Sequence, residues 1–245
     1  MMTNTMHYHP HYCQEEFRRP QHWCCHESIR ANVDTISRSS SILSTAPQMD
    51  IPCFDRCEIE VGPQVLGQGA FSQVHSVVRL HLKSDNQTGV TSVARCRSHI
   101  FAEEVACQKR SLYVLKHLRG DLVGNKDDFE SAAIDLCIEV KFLTRLNHPN
   151  IVKVRGLAGG WTSAFAYRHD GFFIVMDRLE PLDHRIHRWR DRLYRYPERG
   201  QVSIARKIDY AYQVADAISY LHDRRIIFRH AEPKLKLELL SRCID

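Results

Sequence analysis

The stretch LGQGAFSQV, residues 66–74, sets two glycines and a serine between residues 58–66 and 73–80, two short runs that contain several β-branched residues. Such an arrangement predicts a strand, a turn and a second strand. Glycines at a turn let the backbone approach a bound group closely, so that peptide N–H groups can meet an anion. A glycine hairpin without a ligand would have the same sequence, so other motifs have to decide the function.

Further elements are predicted on the C-terminal side of this hairpin. Periodicity favours a third strand, a helix, two more strands and a long helix. Their predicted ranges are residues 111–118, 129–146, 151–157, 172–176 and 203–222. Ile134, Ile138 and Phe142 repeat at helical spacing in the first helix, and Pro149 stops that pattern. The expected fold class is α+β, with a five-stranded sheet and one main helix, followed by the start of a helical region.

Two segments lack such patterns. Residues 1–50 have a Ser-rich stretch at 37–44 and no extended apolar periodicity, so they are expected to form a disordered leader. Residues 81–110 are polar and irregular and are expected to form a loop inserted between strands. The leader is rich in His and Cys, at positions His7, His9, His11, Cys13, His22, Cys24, Cys25 and His26. Their spacing fits no standard zinc pattern, so we expect no metal site, and a metal-binding adaptor remains an alternative.

Composition excludes several classes of protein. The chain has 245 residues and a formal charge of +5, and its Lys and Arg are interleaved with acidic residues, which argues against a nucleic-acid binder. It contains no stretch of about 18 apolar residues that would span a membrane. The first thirty residues have no signal-peptide core, and nine cysteines form no repeating framework. An intracellular protein with free thiols, neither secreted nor in the membrane, is therefore expected.

A lysine stands inside one of the predicted strands. Lys116 closes the run YVLK, and a lysine on the inner face of a sheet is costly unless it meets an anion. The helix predicted next carries three acids, Glu130, Asp135 and Glu139. It ends before the segment HPNIV, residues 148–152, which leads into the next strand.

These motifs, taken in order, resemble those of a eukaryotic-type protein kinase. The glycine-rich loop, the YVLK strand, the segment 139–156 and the run FFIVMDRLE, residues 172–180, follow one another as in that family. The resemblance covers residues 58–229, about seven tenths of the chain. It implies a small lobe at 58–180 with an antiparallel sheet, followed by an incomplete large lobe at 181–245.

The resemblance also implies a set of ATP-binding residues. Lys116 would contact the α- and β-phosphates and pair with Glu139, which fits the family frame better than Glu130 or Asp135. Met176 would be the gatekeeper beside adenine, while Asp177 and Leu179 would offer backbone hydrogen bonds to the adenine edge. Ser72 stands where the family has its third glycine. The expected cofactor-binding residues are Leu66, Gly67, Gly69, Ser72, Val74, Lys116, Glu139, Met176, Asp177 and Leu179.

The catalytic loop of the family has lost its key residues in this chain. The loop corresponds to residues 228–235, where His230 stands at the catalytic Asp, Glu232 at a Lys and Leu235 at a Mg²⁺-binding Asn. Pro233 alone is retained and favours the Ser/Thr pattern. No D-F-G triplet follows. The resemblance therefore implies ATP as cofactor, doubtful binding of Mg²⁺, and a chain that is inactive as written.

Besides the metal-binding adaptor, two functions remain open on the sequence. An intact member of the family would transfer the γ-phosphate of ATP to Ser or Thr of a protein substrate. The alternative is a regulatory module, similar to a pseudokinase, that binds a protein partner through the helix at 129–146. The segment NKDD, residues 125–128, matches the motif with which GTPases bind guanine. That motif requires a G-x-x-x-x-G-K-[ST] loop, which this chain does not have. We interpret NKDD as the start of a helix.

Overall fold

The computed structural model of the chain describes residues 25–44, 51–81, 102–103, 105, 112–166, 168–180, 182–195 and 204–227. These residues form one six-stranded sheet with helices against it, which confirms the predicted α+β class. The strands are β1 Cys53–Phe54, β2 Ile59–Gln68, β3 Ser72–Leu80, β4 Tyr113–Leu118, β5 Val154–Ala158 and β6 Phe173–Asp177. Their order across the sheet is β1-β5-β6-β4-β3-β2.

The predicted count of five strands is wrong by one. The five long strands pair antiparallel as expected, and the two-residue β1 adds a parallel edge beside β5. Two residues are too few to show any periodicity, so β1 has no sequence signal. Its Phe54 is 1% exposed and lies against Gly156 of β5. A Cβ at Gly156 would be 2.6 Å from Phe54 Cε2, so this glycine makes room for the ring.

The main helices of the described chain are α1 His26–Ser39, α2 Lys126–Leu143, α3 Leu182–Arg195 and α4 Ile204–Asp223. Helix α2 begins where the NKDD segment predicts a helix start. The side chain of Asn125 caps it and accepts hydrogen bonds from the backbone N–H groups of Asp127 and Asp128. The helix ends three residues earlier than predicted, because the chain leaves the helical path at Thr144 before it reaches Pro149. Helix α4 agrees with its prediction to within one residue at each end.

The prediction of a disordered leader is wrong for residues 26–39, which form helix α1. Its buried residues Ile29, Val33 and Ser37 repeat every four positions, and the polar residues between them obscured this narrow stripe. The isolated helix has little apolar surface. Its apolar residues are buried because they pack against α2 and become part of the same hydrophobic core. Residues 1–24, including the other leader His and Cys residues, lie outside the described part of the chain, as does most of the predicted insertion at 81–110.

The hydrophobic core lies mainly between the sheet and α2. Strand β4 is buried over its whole length, and β6 is buried at four of its five residues. Helix α2 contributes Phe129, Ala132, Leu136 and Val140 to the same cluster. Because β4 carries Lys116, the candidate site is built on a strand that is buried along its whole length. Among the described residues, no helix is long and apolar enough to cross a bilayer.

Candidate functional site

Lys116 and Glu139 form an ion pair between strand β4 and helix α2. Lys116 Nζ lies 2.7 Å from Glu139 Oε1 and 2.8 Å from Oε2, so both carboxylate oxygens accept from one ammonium group. The side chain of Lys116 is 11% exposed and that of Glu139 is 36% exposed. This geometry is the pairing that the sequence predicts. The rival acids Glu130 and Asp135 do not make this contact.

The sheet register brings several other predicted site residues to the same face as Lys116. Residues that stand directly opposite each other on antiparallel strands have side chains on one face. Val74 and Ile174 stand opposite Lys116, and Met176 stands opposite Val114, two residues before Lys116 on β4. Val114 and Met176 are 7% and 6% exposed. They therefore form an apolar wall next to the lysine.

The glycine-rich hairpin forms one side of this face. Gly67 pairs with Val74, and Gly69 N–H donates to the Ser72 carbonyl at 2.8 Å, which closes the turn. A Cβ at Gly67 would meet nothing closer than 3.9 Å, and one at Gly69 nothing closer than 3.5 Å. Neither glycine has a positive φ. The packing and backbone of the chain therefore do not require glycine at these two positions, and small residues here leave space along the hairpin.

Arg119 holds the tip of the hairpin from the end of β4. Its guanidinium donates to the Ala70 carbonyl at 3.1 Å and approaches that of Gly69 at 3.5 Å. The opposite edge of the guanidinium donates to Asp121, whose pKa these hydrogen bonds lower. In a trans peptide the carbonyl and the following N–H point in opposite directions. The N–H groups of Ala70 and Phe71 therefore point away from Arg119.

Apolar side chains at the hairpin are open to solvent. Leu66, which precedes Gly67, is 41% exposed, and Phe71, two residues after Gly69, is 42% exposed. Val74 is half-buried and points to the same face as Lys116. An apolar group placed between the hairpin and the Val114–Met176 wall would contact Val74 and remove it from water.

Strand β6 leads from this wall into a connection fixed by ion pairs. Asp177 accepts two hydrogen bonds from Arg155 of β5, at 2.8 and 3.0 Å. Arg178 N–H donates to the Leu112 carbonyl at 2.6 Å, which continues the pairing of β6 with β4. Leu179 follows and is half-buried. The side chain of Asp177 is thus occupied by Arg155, so any contact with a ligand here would involve the backbone.

Glu180 ends this connection and ties it to helix α3. It accepts from Arg185, whose Nη2 is 3.0 Å away, and from Arg188. Burial raises the pKa of Glu180, but the hydrogen bonds from the two arginines outweigh burial and lower it. The carboxylate therefore stays ionised, and the ion pairs anchor the start of α3.

Three histidines lie together on the side of the sheet opposite Lys116: His75 and His117 on the strands, and His169 in the turn before β6. His75 and His117 stack with ring centroids 5.4 Å apart, and His169 lies 5.9 Å from His117. Burial lowers the pKa of His117 to about 4, although a hydrogen bond from its Nδ1–H to the Leu118 carbonyl opposes this shift. Burial also lowers the pKa of His169. Within the described part of the chain, no group of three or more His, Cys, Asp or Glu could hold a metal ion.

The residues of the predicted catalytic loop lie outside the described part of the chain. His230, Glu232 and Leu235 are among them, so their roles stay predictions from the sequence. The sequence reasoning also missed two residues that the site uses, Arg119 and Arg155. Arg119 follows Lys116 by three residues, and that spacing has no characteristic pattern. Arg155 alternates with buried Val154 and Gly156 in β5, which placed it on a strand without indicating its partner.

Comparison with known proteins identifies the family of the chain. The family described as protein tyrosine and serine/threonine kinase matches residues 61–232. A crystal structure of Rad53, residues 1–466, in complex with AMP-PNP is similar with 19% identity and a TM-score of 0.39 over 75% of this chain. The chain spans 36% of the length of that structure. No curated protein matches the chain. The family match begins in β2 and runs through the segment that contains His230. The chain therefore belongs to the protein tyrosine and serine/threonine kinase family.

Proposed function

We propose that this chain binds ATP between the glycine hairpin and the Lys116–Glu139 pair. The ion pair carries the proposal, because it places an ammonium group in a fixed position on the face that the hairpin borders. Lys116 would contact the α- and β-phosphates of the nucleotide. The Ala70 and Phe71 N–H groups, which point away from Arg119, would supply further donors to phosphate oxygens.

The adenine would lie against the apolar wall of the cleft. Val74, Val114 and Met176 would contact the base, and Leu66 would cover it from the hairpin. Backbone groups of Asp177 and Leu179 would donate to and accept from the adenine edge. The bidentate contact of Arg155 with Asp177 supports this arrangement, because it keeps the carboxylate away from the adenine and fixes the backbone.

Phosphoryl transfer is a separate part of the proposal. An active member of the family would move the γ-phosphate to the hydroxyl of a protein substrate, and Pro233 favours Ser or Thr as the acceptor. In this chain, a histidine replaces the catalytic Asp, Glu232 adds negative charge near the γ-phosphate, and Leu235 cannot hold a metal ion. His230 can accept a proton near neutral pH, but positioning and charge stabilisation supply most of the catalysis. The chain as written would therefore bind nucleotide without useful turnover.

Calorimetric titration with a non-hydrolysable ATP analogue, with and without Mg²⁺, tests nucleotide binding. We expect saturable binding at one site that depends little on Mg²⁺, because Leu235 replaces a metal ligand. Absence of binding to the folded chain would overturn the proposal. Labelled phosphate transferred to protein at rates typical of kinases, and lost in Lys116→Met, would show that the proposed inactivity is wrong.

The alternative function, a regulatory module that binds a protein partner, would use helix α2 as its binding surface. It requires a protein partner on that helix, with binding that persists when Lys116 is neutralised. In the structure, α1 already occupies the side of α2 that points away from the sheet. A protein partner on that side of α2 would have to displace α1.

A further inference from the structure

Helix α1 packs against α2 through one narrow stripe. Ile29 and Val33 are fully buried, and Cys25 and Ser37 continue the stripe by one turn in each direction. All four positions are separated by four residues, so they lie on one side of the helix. The apolar members belong to the same core cluster as Ala133, Cys137 and other residues of α2.

Polar contacts join the two helices near both ends of α2. Ser28 Oγ donates to Glu130 Oε1 near its start. Lys141 Nζ donates to Ser37 Oγ at 2.8 Å near its end and lies 3.7 Å from Asp34 Oδ1. Since the earlier residue of α1 meets the earlier residue of α2, the two helices run side by side in the same direction.

The contacts with α1 lie opposite Glu139 on α2. At about 100° per residue, Glu130 and Lys141 are about 180° and 200° around the helix axis from Glu139. Helix α2 is thus attached on one side to strand β4 through Glu139 and on the other side to α1. Both carboxylate oxygens of Glu139 can lie within hydrogen-bond distance of Lys116 Nζ only if α2 stays close to the sheet.

We propose that α1 is a positioning segment of the nucleotide site: it presses α2 against the sheet and so brings Glu139 into contact with Lys116. The inference deepens the proposed function, and its consequence for ATP binding rests on that function. Labelling of Lys116 requires no nucleotide, so the positioning role can be tested separately. Displacement of α1 would release α2, separate the pair and expose the lysine.

The test measures the rate at which an amine-reactive acetylating reagent modifies Lys116 in the full chain, read by mass spectrometry with exposed Lys126 as internal reference. Val33→Asp puts a carboxylate at a fully buried position of α1. Ile36→Asp is the matched control, because Ile36 stands on the same helix and is 41% exposed. We expect Val33→Asp to raise the rate at Lys116 about fivefold and Ile36→Asp to leave it unchanged.

A double-mutant cycle separates positioning from general loosening. In the Glu139→Gln background the ion pair is already lost, so adding Val33→Asp should change the Lys116 rate by less than about twofold. An equally large increase in both backgrounds would overturn the proposal, as would an unchanged rate in Val33→Asp with the helix contact broken. If Val33→Asp does not fold, the double variant Ile29→Ala and Val33→Ala takes its place with the same expectations.

The same variants distinguish this inference from the proposed function. If the unsubstituted chain binds no ATP analogue but the labelling cycle is non-additive, the nucleotide proposal fails and the positioning role stands. If the analogue binds and the cycle is additive, the nucleotide proposal stands and the positioning role fails.

Discussion

Lys116 and His117 are neighbours on β4 and point to opposite faces of the sheet. Lys116 donates a hydrogen bond to Glu139, whereas His117 is 4% exposed and has no carboxylate in contact. The groups near His117 are His75, His169 and Asp170, and the two histidines oppose its protonation while the aspartate favours it. Asp170 itself is held by Arg56 and Arg168, which compensate most of its charge. One strand thus carries an ion-paired residue on one face and, on the other, a buried histidine whose pKa is lowered.

His117 makes the stability of the fold depend on pH. Its pKa of about 4 in the folded chain is below the usual 6.5, so the unfolded chain binds more protons between these values. Stability is therefore lost as the pH falls from 6.5 towards 4. Between pH 7 and pH 5 the free energy of unfolding should drop by about 2 kcal/mol from this group. Urea unfolding of the unsubstituted chain and of His117→Leu at the two pH values measures this.

The pH dependence should be weaker in the leucine variant, because the titrating group is gone. His81 provides the matched control, because its side chain is 51% exposed. His81→Leu should keep the full dependence. An unchanged pH slope in His117→Leu would contradict the account.

Arg119 should affect the phosphate part of the site alone. Arg119→Gln removes the donors that hold the Gly69 and Ala70 carbonyls, so the hairpin amides lose their fixed direction. Affinity for an ATP analogue should fall about fivefold, while affinity for adenosine should not change. Calorimetric titration measures both. Arg79→Gln, at an exposed position on β3, is the control and should bind both ligands as the unsubstituted chain does. Equal weakening for both ligands in Arg119→Gln would count against the role given to Arg119.

At the scale of elements, the short turns position the strands as firmly as the helices do. Gly171 precedes β6, and an ideal Cβ there would be 2.1 Å from the Ala164 carbonyl oxygen in the 3-10 turn Trp161–Ala166. The Ala164 carbonyl belongs to the backbone, as does the Cα that would carry the new Cβ, so neither group can move aside at low cost. The close approach keeps that turn against the start of β6, where Phe172 stacks on Phe165.

Gly171→Ala should therefore destabilise the lobe by about 3 kcal/mol. Gly124→Ala is the matched control, since a Cβ at Gly124 would meet nothing within 4 Å. Thermal or urea unfolding followed by circular dichroism measures both variants. The control should stay within about 0.5 kcal/mol of the unsubstituted chain. Equal stability of the two variants would show that the turn adapts to a side chain.

Elements with their own periodicity were predictable, and those that depend on a partner were not. The five long strands, α2 and α4 follow patterns of buried residues that the sequence displays. Helix α1 has only Ile29 and Val33 as fully buried apolar residues within a polar stretch, and it is stable because α2 offers a surface to them. The short β1 depends in the same way on β5 and on the space at Gly156.

At the scale of the whole molecule, the contact between Lys116 and Glu139 was predictable because both residues belong to one ordered set of motifs. The resemblance fixed Lys116 and Glu139 as a pair although 22 residues separate them in the chain, and the structure brings them to 2.7 Å. The contacts of Arg119 with the hairpin and of Arg155 with Asp177 were not predictable, because they depend on which strands lie next to each other in the sheet. The fold joins hairpin, lysine, helix and apolar wall on one face of the sheet, which is where the proposed nucleotide site lies.

Lys116→Met tests this arrangement most directly when ATP and adenosine are compared. The substitution keeps the length and apolar stem of the side chain and removes the charge that would meet the phosphates. Calorimetric titration should show at least a tenfold loss of affinity for the non-hydrolysable ATP analogue, or about 1.4 kcal/mol, with adenosine affinity changed by less than about twofold. Unchanged affinity for the ATP analogue in Lys116→Met would contradict the account, because the ion pair with Glu139 would then have no part in binding nucleotide.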